Sequence, residues 1–156
     1  EAVMRSLLAF LLSAAALPAV AADGAAVFAA HCAVCHQPGG VGLSGLAPPL
    51  AGTLGERLQV AGRGYLPRVV THGMVGPITV QGQRYTGAMP PFAAQLPDEA
   101  LAAVLNHVLD GFNGGALPEG HQPYTAAELA EARAERLGPN DVRKLRDGAG
   151  RKGGGS

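Results

Sequence analysis

The clearest hydrophobic pattern in the chain lies just after Pro97. Apolar residues recur there every three or four positions, the spacing of one helix face: Leu101, Val104, Leu105, Val108 and Leu109. Proline suits the first turn of a helix, and the acidic Asp98 and Glu99 complement the positive end of the helix dipole. The pattern predicts a helix that opens at residues 97–99 and ends at the glycines that begin with Gly111.

Weaker patterns predict three further elements. Asp23 is placed to cap a helix that runs directly into residues 32–36. A short helix is predicted over residues 64–72, where a glycine follows as its C-terminal cap. Residues 78–86 place β-prone side chains on both sides of a Gly turn, which is typical of a hairpin. The expected fold class is all-α with one small β-hairpin, and residues 37–55 are expected to form a Gly- and Pro-rich loop.

The first apolar run of the chain has the character of a secretory signal peptide. A positive residue follows Met4, residues 7–17 are apolar but too few to span a bilayer comfortably, and small residues lead to Ala21 and Ala22. We expect a signal peptide over residues 1–22, cleaved after either alanine, and a periplasmic location. The alternative is an uncleaved membrane anchor. The three residues before Met4 look non-native, and no later stretch has the length and hydropathy of a transmembrane segment.

Composition divides the rest of the chain into three parts. Residues 23–114 make one domain-sized unit, and residues 115–147 form an extension rich in Ala, Glu and Arg. Thr125 and Glu128 have the spacing of a capping box, which predicts a helix in this extension. Residues 148–156 have the composition of a disordered tail. A solvated helix is the favoured interpretation of the extension, and docking to a larger enzyme or a membrane surface is the alternative.

The overall composition argues against a nucleic-acid-binding protein and indicates a core with few large side chains. The formal net charge of the 156 residues is zero, which argues against a nucleic-acid partner. Tryptophan is absent, only four Phe and three Tyr are present, and Gly and Pro number 23 and 12. A small domain so poor in large side chains gains from an internal cofactor.

The motif Cys32-Ala-Val-Cys35-His36 indicates which cofactor this core contains. C-x-x-C-H is the attachment sequence of c-type haem. Two thiols add across the two vinyl groups of the ring, so they must stand about a ring edge apart at the end of a helix. The histidine that follows is then held at the iron as its proximal ligand. One motif predicts one haem.

Three other interpretations of the two cysteines are weaker. A structural zinc site usually needs four Cys or His ligands, and the chain has only two Cys. A thioredoxin-like pair belongs in a βαβ pattern, which is missing here. A plain disulfide would be permitted by export. The histidine, the export signal and the preceding helix together favour haem.

The sixth iron ligand is predicted to be Met89. Met89 lies in a stiff Met-Pro-Pro turn that fixes the loop in advance. Met74 follows a helix-ending glycine without such a brace, and we interpret it as core packing. Ligation by His36 and Met89 would give a high-potential electron carrier.

With these residues in hand, the chain resembles the class I c-type cytochromes, specifically the bacterial periplasmic mono-haem proteins, over about residues 23–114. Gly24 and Phe28 stand at the family's helix-crossing positions, and His107 replaces an aromatic residue that would pack against them. The resemblance implies that the carbonyl of Pro48 accepts a hydrogen bond from the proximal imidazole, which orients the ring. It also implies the class I cytochrome c fold, with the hairpin before the methionine loop.

The segment from Gly73 to Gly87 resembles small bacterial cytochromes that are subunits or partners of periplasmic dehydrogenases and terminal oxidases. In that group the hairpin covers the propionate edge of haem, so Arg84 and Tyr85 are candidate propionate partners. An exposed hairpin with an ordinary arginine is the equal alternative.

The expected function is electron transfer rather than enzymatic catalysis, with redox proteins as partners and a monomer or a subunit of a redox complex as the expected state. Electrons would leave through an exposed haem edge ringed by residues 39–47 and 88–92, whose small uncharged side chains suit brief docking. Residues 23–114 contain no lysine, so charge steering should be weak. The alternative is a haem enzyme or a gas or redox sensor with a displaceable sixth ligand.

Overall fold

The computed structural model describes residues 21–148. In chain order the elements are α1 (Gly24–Val27), a π-helical turn (Phe28–Cys32), α2 (Ala33–His36), a 3₁₀ turn (Pro38–Gly40), α3 (Leu54–Ala61), α4 (Tyr65–His72), β1 (Ile78–Val80), β2 (Gln83–Tyr85), α5 (Asp98–Asn113), α6 (Ala126–Ala134) and α7 (Pro139–Leu145). The predicted fold class is confirmed. Most of the predicted signal peptide (1–20) and of the predicted tail (149–156) lies outside the described residues. Within 21–148, each helix is too short or too polar to cross a membrane.

The N-terminal helix begins where the sequence predicts. Oδ1 of Asp23 accepts hydrogen bonds from the backbone N–H groups of Ala25 and Ala26, at 3.0 and 3.3 Å, which satisfies donors that the first turn would otherwise leave unpaired. The helix widens into the π turn that ends at Cys32 and resumes as α2, whose last residue is His36. Insertions of this kind are frequent at functional sites.

Helices α1 and α5 cross in close contact. A Cβ on Gly24 would overlap the carbonyl oxygen of Ala103, so only glycine permits this approach. Phe28, 4 % exposed, lies just beyond the crossing with its ring centroid 5.8 Å from that of His107. The predicted packing of His107 against this helix is confirmed.

The predicted helix after Pro97 is confirmed as α5, but it continues through Gly111 to Asn113. Asn113 is buried, and its side chain donates a hydrogen bond to the Val108 carbonyl (3.0 Å) and accepts one from the Leu54 N–H (3.1 Å). The second contact caps α3, a helix that we did not predict. Since the cap comes from a residue 59 positions away, the local sequence pattern gives little sign of it.

The predicted short helix is confirmed as α4, and the predicted hairpin as strands β1 and β2. Ile78 pairs with Tyr85, and Gln81 and Gly82 form the two-residue turn with φ of 49° and 79°. Side chains then tie the hairpin to the Pro-rich loop, since Nε2 of Gln83 donates to Oγ of Ser44 at 2.6 Å.

The C-terminal extension folds back on the domain, so the interpretation as a solvated helix is wrong. Helix α6 has the predicted capping box and packs against α4 and α5, while α7 packs against α4. Leu129 and Val142 are fully buried, and Tyr124 is 3 % exposed. Ion pairs fasten the extension to the domain: Arg63 to Glu128 (2.6 Å), Arg68 to Glu135 (2.7 Å) and Arg133 to Asp98 (2.8 Å).

The Arg63–Glu128 pair predicts an acid-sensitive contribution to stability. The Arg63 guanidinium, helped by the N–H of Thr125, holds the pKa of Glu128 at about 2. A carboxyl whose pKa is lowered by folding stabilises fully above its unfolded pKa, about 4.3, and this contribution is lost as the pH falls toward 2. We expect Glu128→Gln to reduce the pH-dependent part of the free energy of unfolding by roughly 1 kcal/mol. The effect is limited because the ion pair is partly exposed to solvent.

Urea unfolding at pH 7, 4 and 3 measures this effect. Between pH 5 and 2 the unmodified protein should lose stability more steeply than the Glu128→Gln variant. Glu131→Gln is the matched control, because Glu131 is exposed on the same helix and should leave the pH profile as it is. Equal slopes for the unmodified protein and Glu128→Gln would contradict the prediction.

Candidate cofactor site

A cavity of about 710 Å³ lies between the N-terminal helix, the Pro-rich loop, α4, α5 and the methionine loop. Its volume falls within the roughly 300–1,000 Å³ of ligand and cofactor pockets. The walls are mainly apolar and include Phe28, Leu46, Leu66, Val70, Val104 and Leu105. The scarcity of large side chains in the sequence thus corresponds to a large internal space.

Cys32, Cys35 and His36 all line this cavity. His36 is 8 % exposed, and its Nδ1 lies 2.9 Å from the carbonyl oxygen of Pro48. Because a carbonyl only accepts, Nδ1 carries the proton and Nε2 keeps the lone pair that a metal requires. Burial lowers the pKa of His36 against the opposing effect of the Pro48 hydrogen bond, so the ring is neutral at physiological pH.

The state of the two cysteines separates the haem interpretation from its rivals. The two sulfurs are not joined in a disulfide, and burial raises the pKa of Cys32 to about 11. Cysteines of thiol–disulfide exchange have a lowered pKa, so this environment does not suit a thioredoxin-like pair. Among residues 21–148, no group of three or more His, Cys, Asp or Glu side chains is arranged to hold a metal ion. A zinc site therefore has no support in the described part of the chain.

Met89 and Met74 stand opposite each other across an antiparallel backbone bridge. The N–H of Met74 donates to the carbonyl of Met89 (3.0 Å), and the N–H of Met89 donates to that of Met74 (2.9 Å). Both residues line the cavity. The expectation that Met74 lacks a brace is wrong, since its backbone is fixed to Met89 itself. Gly73 permits this approach, because it has φ of 72° and a Cβ there would lie 2.5 Å from the Met89 carbonyl oxygen.

The cationic wall of the cavity differs from the one predicted. Tyr85 is buried and lines the cavity, but Arg84 is exposed on β2 and is not among the described residues that do. The guanidiniums that line it belong to Arg57 and Arg146. The Arg57 side chain donates to the Arg146 carbonyl at 2.7 Å, and the Arg146 side chain donates to the Thr79 carbonyl at 2.8 Å.

Two guanidiniums on one wall, with Glu56 as the only carboxylate among the described lining residues, favour anions. Burial and the neighbouring Arg146 lower the pKa of Arg57, while the carboxylate of Asp147, 3.8 Å away, is 80 % exposed. The phenol of Tyr65 lies beside this pair, and burial raises its pKa, so it remains a hydrogen-bond donor. The sequence showed Arg146 only as part of a basic cluster, and no periodicity distinguished Arg57.

Of the remaining histidines, His31 lines the cavity, while His72 and His121 contact the C-terminal extension. His31 is half-buried on the cavity wall, and its ring centroid lies 6.4 Å from that of Phe92. Nε2 of His72 lies 2.7 Å from the carbonyl oxygen of Ala132. His121 packs against Tyr124 in the extension.

These residues fit a covalently attached haem. The apolar space matches the ring, the thiols match its vinyl groups, and the guanidiniums match its two carboxylates. A neutral imidazole and a thioether in the same cavity are the donors that iron takes in high-potential cytochromes.

Comparisons with known proteins agree with this chemistry. The family model described as cytochrome c oxidase, cbb3-type, subunit III matches residues 19–108. Cytochrome c-552 of Thermus thermophilus is 45 % identical over 139 residues, which is 88 % of this chain and 92 % of the relative. Cytochrome c6 of Microcystis aeruginosa is 36 % identical over 87 residues, covering 56 % of this chain and 91 % of the relative.

A further relative belongs to a larger assembly. The cytochrome c subunit of the quinone alcohol dehydrogenase of Gluconobacter oxydans is 33 % identical over 93 residues, which is 60 % of this chain and 19 % of that subunit. The family match and the similarity to cytochrome c-552 show that this chain belongs to the class I c-type cytochromes, electron-transport proteins, and binds one covalent haem c through its two cysteines.

Proposed function

We propose that this cytochrome carries electrons in the periplasm with His36 and Met89 as the axial ligands of its iron. The observation that supports the proposal most is that one cavity holds an imidazole with Nε2 free for a metal and a methionine on a backbone-braced loop. When bound, haem supplies the one-electron change between ferrous and ferric iron. Cys32 and Cys35 attach it, Pro48 orients the imidazole, and Arg57 and Arg146 face the propionates.

The proposed exit for electrons is an apolar patch beside the attachment motif, made of Val34, Val41, Leu43 and Leu46. Val34 and Val41 are 75 % and 66 % exposed, and Leu46 also lines the cavity. Three of the four lie in the 39–47 segment expected to ring the haem edge. Exposed apolar side chains beside a redox centre suit brief docking, and the patch contains no charge.

The proposed partners are a periplasmic dehydrogenase as donor and a terminal oxidase as acceptor, with this chain as a shuttle or a bound subunit. Support comes from the names of its relatives, since one is a dehydrogenase subunit and the matching family model describes an oxidase subunit. Catalysis is not part of the proposal, because an iron held by both His36 and Met89 would have no position left for a substrate.

Optical spectra of the matured protein test the ligand assignment. The ferric protein should be low-spin, show the weak near-red sulfur-to-iron band, and bind added cyanide slowly; the ferrous protein should not bind carbon monoxide readily. High-spin iron or rapid ligand binding would replace electron carriage with catalysis or sensing.

Stopped-flow oxidation by an uncharged and by a charged small-molecule acceptor tests the docking patch. The rate with the charged acceptor should change by less than about threefold between low and physiological ionic strength, because charge steering is weak. Val41→Asp should slow the reaction, whereas Glu119→Gln, in the extension, should not. A rate insensitive to Val41→Asp would remove the patch from the proposal.

A further inference from the structure

A second thioether shares the cavity with the proposed ligand. In an antiparallel pair that exchanges both hydrogen bonds, the two Cα atoms lie about 5.5 Å apart and the side chains leave the same face. Met74 and Met89 form such a pair, and both line the cavity. Their side chains therefore extend into the same space in parallel. A methionine side chain has three rotatable bonds and adapts to different sites.

The sulfur of Met74 is already engaged. The hydroxyl of Tyr65 donates a hydrogen bond to Sδ of Met74 at 3.3 Å. Tyr65 is 5 % exposed at the start of α4. No corresponding contact is seen on Sδ of Met89 among the described residues. The two methionines therefore differ in the availability of the sulfur, although their backbones are held equally.

From this geometry we infer that Met74 is a reserve axial ligand of the haem iron, and that Tyr65 selects Met89 by holding the sulfur of Met74. The inference rests on the proposed function, in which Met89 is the ligand of the native protein. Removal of the Met89 thioether frees a coordination position beside a sulfur whose backbone is already in place. In a variant without the Met89 thioether, the sulfur of Met74 would leave the Tyr65 hydroxyl and take the open position on the iron, with no change of oxidation state.

Ferric spectra of four haem-loaded variants test the inference: Met89→Ala, Met74→Leu, the double variant, and Met89→Ala with Tyr65→Phe. Mass spectrometry confirms haem attachment in each. We expect Met89→Ala to keep the near-red sulfur-to-iron band and the strongly shifted methionine methyl signal in proton NMR. The double variant should lose both, and Met74→Leu alone should keep both. Met89→Leu repeats the test with the side-chain volume preserved, in case the alanine variant does not fold.

Tyr65→Phe tests the selecting residue. Loss of one modest hydrogen bond should raise the ratio of Met74-ligated to unligated iron in the Met89→Ala background by roughly two- to fivefold. Tyr85→Phe is the matched control, because Tyr85 is also a buried tyrosine of the cavity, and it should leave that ratio unchanged. An unchanged ratio with Tyr65→Phe would remove Tyr65 from the selection.

The outcomes separate the inference from the function on which it depends. If Met89→Ala loses the band as completely as the double variant, Met74 is packing alone, and Met89 stands as the ligand. If Met74→Leu alone loses the band, Met74 is the native ligand, and both assignments fail. Survival of the band in the double variant would exclude either methionine as the ligand.

Discussion

Removal of the C-terminal extension by truncation after Leu117 should destabilise the domain strongly. The free energy of unfolding should fall by more than the roughly 2–5 kcal/mol expected for Leu129→Ala alone. The reason is that truncation removes Leu129 together with Tyr124 and Val142, all of them buried against the domain. It also leaves α4 without the two helices that cover it.

The truncation should also alter the haem pocket, because Arg146 lies beyond residue 117. The wall that faces the propionates would keep Arg57 and lose its partner. We therefore expect a lower reduction potential as well as a lower midpoint of thermal unfolding. An extension that served only to dock a partner would change neither property.

Thermal and urea unfolding of the haem-loaded full chain, the truncated chain and Leu129→Ala measures the effect. Glu131→Ala is the control for a change on the exposed face of α6, and it should stay within about 0.5 kcal/mol of the unmodified protein. If the truncated chain is as stable as the full chain and reacts more slowly only with a protein partner, the extension serves for docking and not for stability.

The elements that the sequence predicted well carry their signal locally. The stripe from Leu101 to Leu109 repeats over enough turns to define α5, and Asp23 lies directly before the helix it caps. The Cys32–His36 motif is specific because covalent chemistry dictates its spacing. In each case neighbouring residues are sufficient to fix the structure.

The elements that escaped prediction depend on contacts between distant residues. Helix α3 is capped by Asn113, and the extension is held by Arg63, Arg68 and Arg133 through partners at least 35 positions away. Nothing near Arg133 distinguishes a solvated charge from one that pairs with Asp98.

Contacts between distant residues also determine which arginines line the cavity, so the sequence alone did not identify them. Arg84 was a candidate propionate partner because it lies next to Tyr85 in the sequence. Side chains alternate along β2, however, so Arg84 faces outward while Tyr85 faces inward. Arg146 reaches the cavity from the opposite end of the chain, because α7 packs on α4. Only the fold brings it beside Arg57.

The cationic wall leads to the second large effect, a fall in reduction potential on replacement of Arg146. Arg146→Gln removes one positive charge from a position that is 7 % exposed. A nearby cation disfavours the extra positive charge of ferric haem, so its loss favours the ferric state. For charges about 10 Å apart at an effective dielectric constant of about 20, the interaction is about 1–2 kcal/mol, or roughly 40–90 mV for one electron.

A pH profile of the potential distinguishes this electrostatic role from a purely structural one. A propionate that loses its guanidinium partner has a raised pKa, so the potential of Arg146→Gln should gain a decline with rising pH between about pH 5 and 8. Arg57→Gln should behave in the same way. Lys144→Gln removes an equal charge two residues away, but Lys144 is exposed and pairs with Asp141 in solvent, so the potential and the pH profile of this variant should match those of the unmodified protein. If Arg146→Gln and Lys144→Gln shift the potential equally, the effect is one of net charge, and the two buried guanidiniums do not hold the propionates.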